Sequence, residues 1–202
     1  MRSPSVEGII TSQALEETGA TIAELQLRNG MIEWFPGGHA DPWNHVESAM
    51  ALSTIGMVAE AEAAYQWLVD QPRPDGSWHN YYVAGGVQDP KIDNNCVVYV
   101  ATGVWHHYLA TKDQGFAACL FPLVDRAIES VLDMQTRRGE VLWARMPDGR
   151  PWNYALLTGS SSIGHSLACA VDLAEMLGLE RPHWGHARDR GDSRRLATAD
   201  GP

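Results

Sequence analysis

The 202 residues are 45% apolar and carry a formal net charge of −10, enough chain for one globular domain with a sizeable core. That acidic balance excludes a nucleic-acid or anionic-membrane surface, because phosphate binding needs a basic footprint. No apolar run approaches the roughly 18 residues of a membrane span, so no transmembrane segment is expected; Met1 to Gln13 also lacks the basic and apolar regions of a secretory signal, which makes the cytoplasm the expected location.

In chain order, the first signal is a turn made by Leu25, Gln26, Gly30 and Trp34. From Pro42 to Ile55 the sequence is apolar nearly all round, with a thin polar stripe of Asn44, Glu47 and Thr54. It opens on Asp41-Pro42, a cap followed by proline at the first helical position. An amphipathic helix comes next, with Ala61, Ala64, Tyr65 and Leu68 on one face and Glu60, Glu62, Gln66 and Asp70 on the other. Its turn carries Gln71, Asp75, Gly76 and Trp78, and Tyr81-Tyr82-Val83 beyond it reads as a short hairpin-like piece.

Ile92 to Leu109 is again apolar all round, with a stripe of Asn95, Tyr99, Thr102 and His106. Asp113 to Gln135 is amphipathic, with Asp113 as N-cap and Pro122 as a kink or boundary. A third turn holds Gln135, Gly139, Leu142 and Trp143. Ser162 to Leu177 is the last apolar helix, with Ser162, His165, Cys169 and Asp172 as its stripe. Residues 183–202 turn Arg- and Asp-rich and read as a disordered polar tail after a unit spanning 1–182. Cys96, Cys119 and Cys169 have no CxxC spacing and read as small buried hydrophobes.

The three turns repeat at intervals of 45 and 64 residues from Gln to Gln, and a repeat decides a fold before any single motif does. Steps of three, four or seven keep each polar stripe on one helical face, while a helix apolar all round is a buried one. The expected fold is therefore all-α: an array of α/α hairpins with three inner helices around a polar-lined cavity and amphipathic helices outside.

The run Gln71-Pro-Arg-Pro-Asp-Gly-Ser-Trp78 resembles the QW motif of squalene and oxidosqualene cyclases, and Asp41 to Leu52 and Gly103 to Leu109 resemble stretches of actinobacterial proteins of the prenyltransferase and squalene-cyclase-like α/α-toroid family. The resemblance covers roughly residues 20 to 184 and implies a partial (α/α)6 toroid of the terpenoid cyclase/prenyltransferase type. A closed toroid of that kind needs about six hairpins. Three are legible here, which implies a C-terminally truncated ring with a cavity open on one side. The resemblance implies a prenyltransferase- or terpene-cyclase-like activity on an isoprenoid or similar apolar ligand. The catalytic signatures are absent, however: Asp93-Asn94-Asn95 holds one carboxylate where cyclases have an Asp-rich element, and Asp93, Cys96 and His165 do not match the zinc spacing of protein prenyltransferases. No metal and no cofactor is expected. The alternatives are a carbohydrate-active protein of the six-hairpin glycosidase type, whose carboxylates lie at inner-helix ends, and an inactive fragment or binding scaffold.

Glu47 and Asp93 are the candidate catalytic residues, each early on an inner helix and suited to acid/base work at a glycosidic bond or beside a carbocation. Helix-start carboxylates are also favoured by the macrodipole alone, which is the reading given to Asp41. Trp43, Asn44, His45, Asn95, Tyr99, His106 and His165 are the candidate substrate-binding residues, and Asn44, Asn95, Tyr99, His106 and His165 are expected to converge. His106 and His107 point about 100° apart, so one of them belongs to packing. Tyr81 and Tyr82 are candidates for an aromatic wall, while Trp34, Trp78 and Trp143 read as structural turn residues. The expected partner is a small molecule, an isoprenoid or a sugar.

Overall fold

The computed structural model describes residues 5–199, with side chains through residue 191. Seven helices are formed among the described residues: α1 Ser12–Glu24, α2 Pro42–Ile55, α3 Val58–Asp70, α4 Asn94–Thr111, α5 Gln114–Leu132, α6 Leu157–Met176 and α7 Pro182–Ala199. Short strands lie in the connections: β1 Tyr81–Val83 pairs antiparallel with β2 Gly86–Asp89, and β3 Ile92–Asp93 pairs with β4 Ala144–Arg145.

Local chemistry explains where these helices begin and end. Thr11, Asp41, Asp93 and Asp113 each accept a hydrogen bond from the exposed N–H groups of the first turn of α1, α2, α4 and α5, as short polar side chains do at an N-cap. Gly56 ends α2 in the left-handed conformation, at φ 86°. Pro122 sits inside α5 without ending it.

The helices form two layers. α4 lies between α2 and α6, while α3, α5 and α7 back onto α2, α4 and α6, and α1 packs on α2. Cross-helix bonds fix the inner register. Glu47 pairs with Tyr99 and Thr54 with His106, both 52 residues apart, and Thr102 pairs with Ser166, 64 residues apart. A constant offset along two helices means that they run parallel. The N-termini of α2 and α4 therefore lie level at one end of the arc. The core between the layers includes Val46, Ala49, Leu52, Tyr65, Leu68, Val97, Ala101, Val104, Ile128 and Leu173, all essentially sealed from solvent.

The repeated turns form a seam between successive outer helices. Gln26 Nε2 donates to the Gly30 carbonyl and to the Glu60 carbonyl of α3, at 3.1 and 2.8 Å. Gln135 Nε2 does the same with Gly139 and with Ala187 of α7, both at 2.9 Å. The turn glycines need positive φ and close approach together. A Cβ on Gly30 (φ 91°) would meet the Ala63 carbonyl oxygen at 2.1 Å, and one on Gly139 (φ 102°) would meet that of Arg190 at 2.5 Å.

Three expectations are corrected. Of residues 183–202, expected to be disordered, 183–199 belong to α7, where Trp184 is fully buried and its indole N–H donates to Glu129 at 2.7 Å, and 200–202 lie outside the described residues. A single aromatic anchor outweighs the polar composition around it. Cys119 is exposed on α5, while Cys169 is buried and Cys96 half-buried. The terpenoid cyclase subtype is overturned below by the likeness to other proteins, while the mostly helical α/α arrangement stands. No helix among the described residues is long and apolar enough to cross a membrane.

Candidate active site

The N-terminal ends of α2 and α4, with the loops that lead into them, enclose a cavity of about 250 Å³. Its lining includes Asp41 and Asp93, the amides Asn44, Asn80 and Asn95, the rings of Trp34, Trp43, Tyr81 and Trp143, and Lys91. The loops are held together by backbone pairing. Ala40 bridges Tyr82, β3 pairs with β4, and the Asn94 N–H donates to the Trp143 carbonyl at 2.9 Å.

Both carboxylates are capping residues, and both are nearly buried at 4% and 7% exposure. Asp41 Oδ1 accepts from the Asn44 N–H at 3.1 Å; its Oδ2 accepts from the Trp34 indole N–H at 2.7 Å and the Asn44 amide at 2.9 Å. Asp93 Oδ1 accepts from the Asn95 N–H at 3.0 Å. Burial lifts the Asp93 carboxyl above the usual aspartate range, against the opposing pull of the Cys96 and Asn95 amides, Lys91 and the Trp143 side chain. The same space is read by its neighbours. The Tyr81 phenol is raised by burial and by the charges of Asp41, Cys96, Asp89 and Asp93, and the Cys96 thiol by burial and by Asp93 and Asp41.

Below the caps, on the concave wall, Trp43 stacks on Tyr99 with centroids 3.8 Å apart and planes 12° apart. The Tyr99 hydroxyl donates to Glu47 Oε1 at 3.2 Å. Burial first, and Glu47 second, push the Tyr99 phenol up to about 12. Glu47 also lines a separate hollow of about 450 Å³ with Trp34, Asn44 and Ser48. It lies six residues beyond Asp41, about 9 Å deeper along α2.

The expected site residues thus divide. Asp93, Trp43, Asn44 and Asn95 meet at the mouth, with Tyr99 and Glu47 one step inside. His45 does not join them. It is fully buried on the convex side of α2, where Nδ1 accepts from the Ile32 N–H at 3.2 Å and Nε2 bonds the Ala64 carbonyl at 2.8 Å. Burial lowers its pKa to about 4, so it is a neutral bracket between layers. His106 lies toward the far end of α4, 3.4 Å from the Thr54 hydroxyl. That is about 16 Å along the axis from Asn95. His165 contacts Cys169 on its own helix, at 3.6 Å. Tyr82 is buried against Trp67, while Tyr81 does reach the cavity.

Asp41, Asn80, Lys91, Trp34 and Trp143 were missed by the sequence reading, although one signal for the tryptophans was available. Trp78 stands two residues after its turn glycine and is buried, its N–H donating to the Leu68 carbonyl at 3.0 Å. Trp34 and Trp143 stand four after theirs, so they pass the seam and reach the mouth. Among the described residues, no group of three or more His, Cys, Asp or Glu could hold a metal ion.

No family model matches the chain. It is 47% identical over 181 residues to the MMP endo-(1,4)-3-O-methyl-alpha-D-mannosidase of Mycolicibacterium hassiacum, an overlap of 90% of this chain and 50% of that protein. The chain thus spans about half the length of this curated relative. Among solved structures it resembles a possible GH105 family member from Salmonella enterica (TM-score 0.70, 13% identity, 88% of this chain and 50% of that one). It also resembles a family 105 glycoside hydrolase from C. acetobutylicum (TM-score 0.68, 12% identity, 89% and 55%). A third likeness is to the endo-beta-1,4-glucanase CMCax from Acetobacter xylinum (TM-score 0.64, 15% identity, 88% and 56%). At such identities the structural likenesses concern the fold alone. Together these findings overturn the prenyltransferase and squalene-cyclase resemblance, and with it the isoprenoid ligand: in this chain the amides of Gln26 and Gln135 join outer helices, a structural task that implies no isoprenoid chemistry.

Proposed function

We propose that the chain forms the carboxylate-bearing half of a glycoside hydrolase that cleaves α-mannosidic bonds in a 3-O-methylated mannan. The observation that carries this reading is the pairing of Asp41 and Asp93, level caps of adjacent parallel helices, in one cavity walled by aromatic rings and amides. Such a lining suits a sugar, whose C–H faces pack on aromatic rings while its hydroxyls bond amides and carboxylates. The 47% identical relative, named for endo action on 3-O-methyl-α-mannose units, supports the substrate class.

In the proposed reaction Asp93, whose burial favours the protonated form, donates its proton to the leaving glycosidic oxygen as the C–O bond breaks. Water adds to the anomeric carbon, and Asp41 takes its proton. Neighbouring helix axes stand about 8–10 Å apart, which leaves room for that water between the two carboxyl groups. Trp43, Tyr99 and Glu47 form the wall beneath the reacting sugar, and Lys91 faces it from the loop.

The test is a titration of the protein with 3-O-methylated manno-oligosaccharides, read by the fluorescence of the cavity tryptophans and by the appearance of reducing ends. A saturable quench with bond cleavage, the cleavage lost in both Asp41→Asn and Asp93→Asn, is the expected result. A protein that neither binds nor cuts these sugars overturns the reading.

A further inference from the structure

Trp143, Trp152 and Tyr154 project from one loop beside the cavity. The rings of Trp143 and Trp152 meet edge-on at 5.1 Å, and Tyr154 lies 5.6 Å from Trp143 and 6.0 Å from Trp152. The Lys91 ammonium sits over both indoles, 4.5 Å from the first and 5.5 Å from the second. The loop is braced: the Trp143 N–H donates to the Tyr154 carbonyl at 3.0 Å and the Trp152 N–H to the Ala144 carbonyl at 2.9 Å. Beneath it, the buried Arg145 donates to the Ser130 carbonyl at 2.6 Å. Yet Tyr154 is 45% exposed and Trp143 and Trp152 are half-buried, so the loop is braced while part of its aromatic surface stays open to solvent. This aromatic surface joins the carboxylate cavity directly through Trp143.

The side of that cavity formed by Trp143 and Lys91 is richer in aromatic surface than the α2 side, where Asp41 and Asn44 stand. Its carboxylate, Asp93, is already engaged by the Asn95 N–H and by the Trp143 side chain. A free sugar hydroxyl gains from an acceptor. A methyl ether has no proton to give, accepts from a donor, and buries its methyl group favourably against an aromatic face. We propose that Trp143, Trp152, Tyr154 and Lys91 form a sugar subsite that selects the 3-O-methyl group by packing its methyl against the aromatic rings. The proposal rests on the carbohydrate reading above and adds to it the origin of the methyl preference.

The experiment is isothermal titration of the 202-residue protein with two probes, 3-O-methyl-manno-oligosaccharide and its unmethylated counterpart of equal length. For the unaltered protein the methylated probe is expected to bind about fourfold tighter, the worth of one buried methyl group. Trp152→Ala is expected to abolish that preference and weaken the methylated probe about tenfold. Trp34→Ala, on the opposite wall, is expected to weaken both probes alike and leave the preference intact. Melting temperatures separate these effects from unfolding, and Tyr154→Ala, at an exposed ring, gives a second variant with little folding cost. If Trp152→Ala and Tyr154→Ala bind both probes with the preference unchanged, the subsite is overturned while the carbohydrate reading survives. If neither probe binds the unaltered protein, both are overturned.

Discussion

Asn44 and His45 are neighbours in the chain and lie on opposite faces of the inner layer. Asn44 is exposed on the concave side and bonds Asp41 at the cavity, while His45 is sealed on the convex side with both ring nitrogens spent on backbone groups. His106 and His107 repeat the contrast on α4. His106 is half-buried beside Thr54, and His107 is buried with Nδ1 2.9 Å from the Ser53 hydroxyl. A polar residue on an apolar helix is therefore no guide to chemistry until its face is known. On the convex face it brackets two layers, and on the concave face it is available to a ligand.

The comparison is broken most decisively at Asp93. Asp93→Asn is expected to lower hydrolysis of 3-O-methyl-mannan by about 10²–10⁴-fold, the usual worth of a general acid, with no loss of stability. Burial holds the folded-state pKa of this carboxyl above its unfolded value. Its stabilising contribution is thus present only below the unfolded pKa and is lost as pH rises through the folded one. Ionising this buried group costs stability, and asparagine caps a helix as well. A melting temperature that falls along with activity would make Asp93 a convex-type, structural residue.

Gly30→Ala tests the seam. The added Cβ would meet the Ala63 carbonyl oxygen at 2.1 Å with φ at 91°, and a loss of at least about 3 kcal/mol is expected in urea titration. Gly149→Ala, at φ 86° with nothing within 4 Å, should cost about 1 kcal/mol. Equal losses would mean that conformational strain alone, and not the contact between outer helices, sets the cost.

His45 supplies a pH signature. Burial lowers its folded pKa to about 4, from the ordinary histidine value of 6.5, so the unfolded chain takes the proton first. Stability is expected to fall by about 3 kcal/mol as pH drops from 6.5 to about 4. Burial lowers His106 and His107 in the same direction, and His45→Gln should remove the largest share of the slope. An unchanged slope would contradict the sealed environment of His45. The smallest effect belongs to Tyr99→Phe, which removes the 3.2 Å bond to Glu47 on the open face. About 0.5 kcal/mol of stability should be lost, and a cost several times larger would show that the concave wall is itself a framework.

Much of this arrangement was legible in the residues. The repeated turn glycines, with Gln26 and Gln135, located the seam, and the stripe Asn44–Glu47 on one helix and Asn95–Tyr99 on another located the concave wall, because helical periodicity fixes which residues share a face. His45 was misplaced for the same reason that it is buried: one residue is a turn of about 100°, and only the packing of α3 decides which side is covered. Asp41 was read as a cap, which it is. A capping bond uses part of a carboxylate, so the reading left out the cavity that Asp41 also faces. Trp143, Trp152 and Tyr154 escaped because the loop pairing that gathers them joins β4 to β3, some fifty residues away in sequence, and no local pattern records such a pairing.

The amides of Gln26 and Gln135 have a consequence for how the molecule comes apart. Each fastens the end of one outer helix to the next outer helix along, α1 to α3 and α5 to α7, as roof tiles overlap only their neighbours. Stability in such a lattice is a sum of local terms and nearest-neighbour terms, so opening can start at an end and stop partway. Unfastening Gln135 should therefore free α7 to exchange its amide hydrogens early, while the amides of α2 and α4, where the two aspartates sit, stay protected until the whole array opens.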